Sequence, residues 1–249
     1  MDIETENPAA PPVRLVQRVS AAVRANSLSR RALGQFALIV VGVLVALWVN
    51  NWNTDRGRVR TAKVFLGSIR TALSTDLVLL QQADTGYRER ERLMIALIGH
   101  IDRGDRYSDS LRPLFGAVYG LWTVPLNRAP YEALKATDLS LVTRDSLRMD
   151  LAELYERTYA DLADAEATDR NAIFEVLRPY FLQSFRDIRF RESATPLRPE
   201  AVLRDPYFRN LVEYRLTVLR ANQLSSTTRA IARVRETLGR VEAELRRIQ

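Results

Sequence analysis

The sequence predicts an all-α protein, with one N-terminal transmembrane helix followed by an antiparallel bundle of three to four long helices with coiled-coil character. Three observations support this fold class. A long apolar run lies near the N-terminus. The segments after it repeat apolar residues every three or four positions, which is the period of an α-helix. No segment shows a convincing alternation of apolar and polar residues, the pattern expected of a half-buried strand.

Length and composition agree with this fold class. The chain has 249 residues, of which 47% are hydrophobic and 27% charged, so it can bury a core and is not wholly disordered. Only 10 Gly and 10 Pro interrupt the helix-forming residues. The net charge of +7 is spread along the chain. Since no basic patch is interleaved with aromatic residues, nucleic-acid binding is not expected.

Residues 1–31 are predicted to form a cytoplasmic tail. The first residues, MDIETENPAAPP, are acidic, rich in proline and without periodicity, which is typical of disorder. Residues 13–25 then place valines at helical spacing, with arginines on other faces. This second pattern fits a short basic helix on an anionic membrane surface and, equally well, a loosely helical tail.

Residues 32–53 are predicted to form a transmembrane anchor and its interfacial end. In ALGQFALIVVGVLVALWV, residues 32–49, Gln35 is the only polar side chain. Such a helix spans about 27 Å, close to the thickness of the hydrocarbon core. A signal peptide would end in a small-x-small cleavage site and an interfacial helix would have a polar face, and neither pattern is present. The predicted membrane-interface residues are Arg30, Arg31, Trp48, Asn50, Asn51, Trp52 and Asn53.

The orientation and the association of this anchor are predicted from weaker patterns. Basic residues are nearly balanced on its two sides, but large C-terminal domains are translocated largely regardless of charge. We expect the N-terminus in the cytoplasm and the C-terminal domain in the periplasm of a bacterial inner membrane. Gln35, Gly42 and Ala46 share one helix face on which a second helix could pack closely. This face fits self-association in the bilayer, although Gly and Ala are common in anchors of every kind.

Residues 54–249 are predicted to form an extracytoplasmic helical bundle. Apolar residues from Val59 to Tyr87 follow heptad spacing, with Asp76 as the single polar interruption. They predict a helix over about residues 54–102 that ends near Gly99 and Gly104. Whether this helix continues from the anchor through Gly57 is left open by the sequence.

The remaining elements are predicted from local start and stop signals. Prolines divide residues 103–142, where two short helices fit near residues 108–121 and 130–135. A long helix follows from Thr143, as its N-cap, to about Phe185, with Pro179 inside it. Residues 186–205 are predicted to be a loop. Asp205 and Pro206 then supply an N-cap and a proline in the first turn of a last helix that runs to the C-terminus.

The residue inventory points away from catalysis. The chain has no cysteine and a single histidine, His100, so thiolate chemistry and the usual zinc ligand sets are excluded. No phosphate-binding loop, dinucleotide fingerprint or nucleophile elbow is present. The acidic residues between Asp161 and Asp169 are interpreted as a solvated helix face. We therefore expect no cofactor, no metal and no enzymatic activity.

Three stretches carry a resemblance to a known family. FALIVVGVLVALWVNNWNTDR, YEALKATDLSLVTRDSLRMDLAELYE and DPYFRNLVEYRLTVL follow one another in this order. Together they resemble a bacterial domain-of-unknown-function family of single-pass membrane-anchored helical proteins with an Asn-Asn-Trp-Asn signature after the anchor. Asp138 stands where that family usually has glycine, and the anchor here is rich in valine. The resemblance implies an envelope protein, and it implies no activity and no functional residues.

Two functions are compatible with these patterns. The first is a non-catalytic envelope scaffold or adaptor in contact with the lipid bilayer, which binds another envelope protein or forms a homo-oligomer. The alternative is an extracytoplasmic ligand-sensing bundle that signals through a partner. In that case Arg186, Arg189 and Arg191, with Tyr180 and Phe181 nearby in sequence, could bind an anion or contact the partner.

Overall fold

The computed structural model describes the backbone of residues 14–248 and the side chains of Leu38 and residues 40–248. The predicted disordered residues 1–12, and the side chains of Arg30, Arg31 and Gln35, lie outside this description. The chain is mostly helical and divides into two compact units between Arg58 and Val59.

The first helix, α1, spans Arg14–Asp102 and includes Gly57. Its predicted end is confirmed by a glycine cap. Gly104 adopts a φ of +67°, and the N–H groups of Gly104 and Asp105 donate to the carbonyls of Ile101 and His100 at 3.0 and 3.1 Å. These two bonds satisfy carbonyls that the helix itself leaves unpaired.

The heptad positions of α1 between Ala62 and Tyr87 are buried, including the polar Asp76, whereas Val59 is exposed. The apolar residues among them belong to two hydrophobic clusters. Each cluster contains residues from all three long helical segments. Coiled-coil packing along this face stays a prediction.

A second long helical segment covers residues 145–184, close to the predicted range. It consists of α4 (Asp145–Ala152), α5 (Tyr159–Asn171) and α6 (Arg178–Ser184), joined by π-helical turns at Glu153–Thr158 and Ala172–Leu177. Pro179 lies two residues after the end of the second π-turn, where the helical hydrogen-bond pattern is already changed. The predicted N-cap was wrong, since Arg144 occupies that position and the Thr143 hydroxyl accepts a hydrogen bond from Arg247 instead.

The third long segment covers residues 206–247 and begins as predicted. It consists of α8 (Pro206–Val218), a π-helical turn at Leu219–Leu224, and α9 (Ser225–Arg247). The side chain of Asp205 accepts a hydrogen bond from the N–H of Tyr207 at 2.9 Å, and Pro206 opens the helix. A proline at this position costs no helical hydrogen bond, because the N–H of any other residue there would have no partner within the helix.

The three long segments are not all antiparallel. The first hydrophobic cluster contains Leu66, Leu151 and Val234, and the second contains Met94, Leu177 and Leu216. From the first cluster to the second, residue numbers therefore increase in α1 and in the second segment and decrease in the third. The second segment is parallel to α1, and only the third is antiparallel to both, because residues 103–144 return the chain before the second segment begins.

This return segment contains the short helices α2 (Arg112–Val118) and α3 (Ala129–Thr137), each close to its predicted position. Single 3₁₀ turns lie at Asp109–Leu111 and Leu139–Leu141. The segment is held to α1 by close contacts. A Cβ atom on Gly86 would lie 2.5 Å from the ring of Trp122, so this position allows the ring to pack against the helix backbone.

The predicted loop at residues 186–205 was wrong. It contains an antiparallel hairpin of β1 (Phe185–Arg189) and β2 (Ser193–Pro196), followed by α7 (Pro199–Leu203). A register shift lies between Arg186 and Arg189, which breaks the simple alternation by which a strand is recognised. The hairpin packs on α2, where a Cβ atom on Gly116 would lie 2.2 Å from the backbone nitrogen of Ser193.

Candidate functional site

A surface cavity lies between α6, α7 and the start of α8, with a volume of about 470 Å³. It is lined by Tyr180, Gln183, Ser184, Leu197, Arg198, Ala201, Val202, Asp205 and Tyr207. The backbone bond from Leu197 N–H to Ser184 C=O, at 2.8 Å, ties the segment after β2 to the end of α6. The cavity is thus built where the hairpin joins the two long segments.

The N-cap of α8 also fixes one wall of this cavity. Asp205 accepts a hydrogen bond from the Tyr180 hydroxyl at 2.6 Å with one carboxylate oxygen and caps the helix with the other. The rings of Tyr180 and Tyr207 lie 5.8 Å apart. Burial raises the pKa of Tyr180, and its hydrogen bond to Asp205 raises it further. The phenol is therefore a neutral donor at physiological pH.

Large apolar side chains are exposed beside this cavity and on the hairpin. Leu197 and Tyr207, which line the cavity, are 51% and 57% exposed. Leu182 on α6 is also exposed, as is Phe190 in the hairpin turn, where its ring contacts Tyr119 at 5.4 Å. Of these residues, Leu197 and Tyr207 expose their apolar surface in the same cavity, and contiguous exposure of this kind is typical of binding surfaces.

The structure places the predicted arginines on the hairpin but not in the cavity. Arg186 and Arg189 are exposed on β1. Arg191 has a φ of +67°, and its guanidinium lies 4.6 Å from the centroid of the Trp122 ring. Its backbone N–H donates a hydrogen bond to the carbonyl of Tyr119. Arg198 is the arginine that lines the cavity. No sequence signal separates it from its neighbours, since its position depends on how the hairpin folds.

Tyr180 and Phe181, the two aromatic residues predicted together with these arginines, lie in different environments. Tyr180 lines the cavity, whereas Phe181 is buried in the hydrophobic core. Adjacent residues of a helix point in directions about 100° apart, so a single helix presents only one of them to the cavity. The predicted set of three arginines and two aromatics is therefore not assembled around one pocket.

A buried charged layer is the second unusual feature of the bundle. Arg215 and Asp169 form an ion pair and are 0% and 1% exposed. Arg90 is also buried and donates to the carbonyls of Ala117 and Gly120 at 3.1 and 2.9 Å. Burial, reinforced by the charge of Arg215, lowers the pKa of Arg90 to about 9. The interpretation of Asp169 as part of a solvated face was wrong.

This layer holds more positive charge than Asp169 alone can balance. Glu166 lies nearby, but burial raises the pKa of its carboxyl, which accepts a hydrogen bond from the N–H of Val124 at 2.7 Å. A buried charge is tolerated only with partners, so these contacts restrict how the long segments can be aligned. The layer is not evident in the sequence, because arginine and aspartate at helical spacing usually face water.

In the N-terminal unit, the described side chains of the apolar run are exposed. Leu38 and residues 40–49 are all exposed, and one helix in the described part of the chain is apolar and long enough to cross a membrane. A Cβ atom on Gly42 would meet nothing within 4 Å, and Ala46 is exposed beside it. The helix face that carries Gly42 and Ala46 is therefore exposed.

The predicted interface residues lie at the end of the same run. Asn50, Asn51 and Asn53 are exposed, and the carbonyl of Asn50 accepts a hydrogen bond from the Thr54 hydroxyl at 2.9 Å. The rings of Trp48 and Trp52 are stacked with centroids 6.2 Å apart. The sequence indicated the two tryptophans, while their stacking depends on rotamers that it does not specify.

Acidic and histidine side chains form no metal centre in the part of the chain that the structure describes, since no group of three or more such residues is close enough to hold an ion. His100 lies instead against the carboxylate of Asp105, at 2.7 Å. Arg103 donates to the same carboxylate. These contacts belong to the C-terminal end of α1.

Comparison with known proteins matches one part of the chain. Residues 35–101 match a family described as Family of unknown function (DUF6090). The matched range lies within α1 and includes most of the apolar run and the heptad positions, but none of the cavity residues. No curated protein and no solved structure matches the chain. The match supports the resemblance to an uncharacterised family and supplies no activity.

Proposed function

We propose that this protein is a single-pass, membrane-anchored helical protein of the bacterial envelope whose bundle binds a protein partner without catalysing a reaction. The observation that carries the proposal is the exposed apolar surface of Leu197 and Tyr207. Both residues line a cavity that also holds Tyr180 and Arg198. Aromatic and arginine side chains of this kind are enriched at the centres of protein interfaces.

The anchoring part of the proposal is supported by the apolar run of α1. Its exposed valines and leucines would be costly in water and are favourable in a hydrocarbon core. In this proposal the N-terminus is cytoplasmic and the bundle periplasmic. Because the chain has no cysteine, single cysteines at Asp2 and Thr54 report the two sides. A membrane-impermeant maleimide should label only the second in intact cells with a permeabilised outer membrane.

Partner binding is tested by crosslinking in native membranes. A photoreactive probe is attached to a single cysteine at Leu197 or Tyr207, and Met149, which is exposed on α4, receives the same probe as the matched control. We expect adducts from the first two positions and none from the third. Adducts of twice the chain mass would identify self-association. Equal yields at all three positions, or no adduct, would contradict a binding surface at this cavity.

A ligand-sensing bundle is favoured by one observation, the cavity itself. Its wall includes Arg198 and Gln183, which could hold an anionic or polar ligand. Thermal unfolding of the full chain with a panel of carboxylates and phosphates separates the two functions. A sensor should be stabilised by a ligand whose effect disappears in Arg198→Gln and persists in Arg235→Gln, at an exposed position of α9. A scaffold should show no stabilisation.

A further inference from the structure

We propose that Trp48, Trp52 and Arg56 form a headgroup site that binds the phosphodiester of an anionic phospholipid. The proposal rests on the membrane anchoring proposed above. A ligand class is thereby assigned to the interface, and Arg56, which is absent from the signature at the end of the apolar run, is added to the interface residues.

The three side chains stack along one strip of α1 at intervals of four residues. The planes of Trp48 and Trp52 differ by 8°, and the guanidinium carbon of Arg56 lies 3.8 Å from the centroid of the Trp52 ring. Residues four apart are neighbours on a helix surface. The electron-rich face of tryptophan attracts a cation, so the stack holds the guanidinium in place instead of leaving it to extend into water.

This contact also sets the depth of the charge. The Cα atom of Arg56 lies about 6 Å beyond that of Trp52 along the helix axis. Helical side chains lean toward the N-terminus, and stacking brings the guanidinium back beside the ring. Tryptophan prefers the membrane interface, where the headgroup layer adds roughly 5–8 Å to each side of the hydrocarbon core. The guanidinium is thus held at the depth of the lipid phosphates.

The donors of Arg56 remain available for a ligand. Stacking uses the face of the guanidinium and leaves the N–H groups at its edge. No side chain or carbonyl among the described residues accepts a hydrogen bond from Arg56. A guanidinium edge matches two phosphate oxygens, which a lysine ammonium cannot do. An anionic lipid is favoured because the headgroup of phosphatidylcholine carries its own cation close to the phosphate.

The test measures lipid preference by tryptophan fluorescence. The full-length protein is reconstituted in phosphatidylcholine with brominated acyl chains, and unbrominated phosphatidylglycerol is titrated in at about 0.15 M salt, where long-range charge effects are screened. Recovery of fluorescence gives the association constant of phosphatidylglycerol relative to phosphatidylcholine. A chain with W48F and W52F supplies the background from Trp122. We expect a roughly five-fold preference for phosphatidylglycerol.

Three variants separate the site from general attraction of charge. Arg56→Gln should reduce the preference to near one. Arg60→Gln removes the same charge one turn farther along, where no aromatic ring of the described residues lies against the guanidinium, so this variant should keep most of the preference. Arg56→Lys keeps the charge but not the planar fork and should lose most of it.

The outcomes distinguish this site from the anchor on which it rests. Absence of quenching in pure brominated phosphatidylcholine would overturn the anchor. Quenching without a preference for phosphatidylglycerol would overturn the headgroup site and leave the anchor standing. The same conclusion would follow if Arg56→Gln and Arg60→Gln lowered the preference equally, or if Arg56→Lys retained it in full.

Discussion

Asp76 shows how a single polar residue can be fixed in an apolar face. Its carboxylate accepts hydrogen bonds from the Tyr159 hydroxyl at 2.7 Å and from the N–H of Asn127 at 3.0 Å. Burial raises its pKa, while these two donors oppose the shift. The interruption of the heptad pattern is therefore a junction where α1, α5 and the return segment meet.

Replacing Asp76 with alanine should destabilise the bundle because two donors lose their acceptor in a site closed to water. We expect a loss of about 3 kcal/mol in the free energy of unfolding, measured by urea titration of the full chain in detergent. Asp164→Ala removes an exposed carboxylate of α5 and should change the free energy by less than about 0.5 kcal/mol. Equal effects of the two variants would contradict the junction.

Glu244 gives a prediction about pH. Its buried carboxylate accepts hydrogen bonds from Arg247, which lower its pKa, and Arg144 lies 3.7 Å away. Because the folded pKa lies below the unfolded value of about 4.3, this contribution to stability is present above that pH. It is lost as the pH falls through the folded pKa.

Glu244→Gln should therefore flatten the decline of the unfolding free energy between about pH 5 and pH 3. The measurement is a series of urea titrations across this range, with Glu175→Gln, at an exposed position, as the control. A wild-type slope in Glu244→Gln would show that the ion pair does not contribute.

At the scale of elements, structural features that depend on neighbouring residues were predictable from the sequence. Features that depend on contacts between distant residues were not. The C-terminal end of α1 and the start of α8 depend on Gly104, Asp205 and Pro206, which act on their own turns of helix. The hairpin depends on Gly116, which is distant in sequence, and its strands are five and four residues long with a register shift. For the same reason the cavity formed by α6, α7 and α8 could not be predicted.

Gly116→Ala tests this dependence. The added Cβ atom would lie 2.2 Å from the nitrogen of Ser193 and 2.5 Å from the carbonyl carbon of Glu192, both backbone atoms. The hairpin must move away from α2, so we expect a loss of about 2 kcal/mol and faster tryptic cleavage at the hairpin arginines. Gly67→Ala is the matched control. Its Cβ atom meets nothing within 4 Å, so helix propensity should make this variant slightly more stable.

At the scale of the whole bundle, two hydrophobic clusters and one buried charged layer hold the long segments together. Apolar packing is non-directional and tolerates sliding of one helix along another. The buried charged layer does not tolerate sliding, because Arg215 must stay paired with Asp169. Arg90 must likewise stay hydrogen-bonded to the carbonyls of Ala117 and Gly120. We infer that the layer fixes the alignment of the second and third long segments and thereby the walls of the cavity.

A double-mutant cycle tests this inference. Arg215→Leu or Asp169→Leu alone leaves a buried charge without its partner and should cost about 3–5 kcal/mol of unfolding free energy. The double variant should recover a large part of that loss, since neither charge remains, but its crosslinking pattern at Leu197 and Tyr207 should broaden if alignment is relaxed. The exposed pair of Arg220 and Glu91, replaced in the same way, should show less than about 1 kcal/mol of coupling. Additive losses at the buried pair would mean that the two charges are stabilised independently and that the layer does not align the bundle.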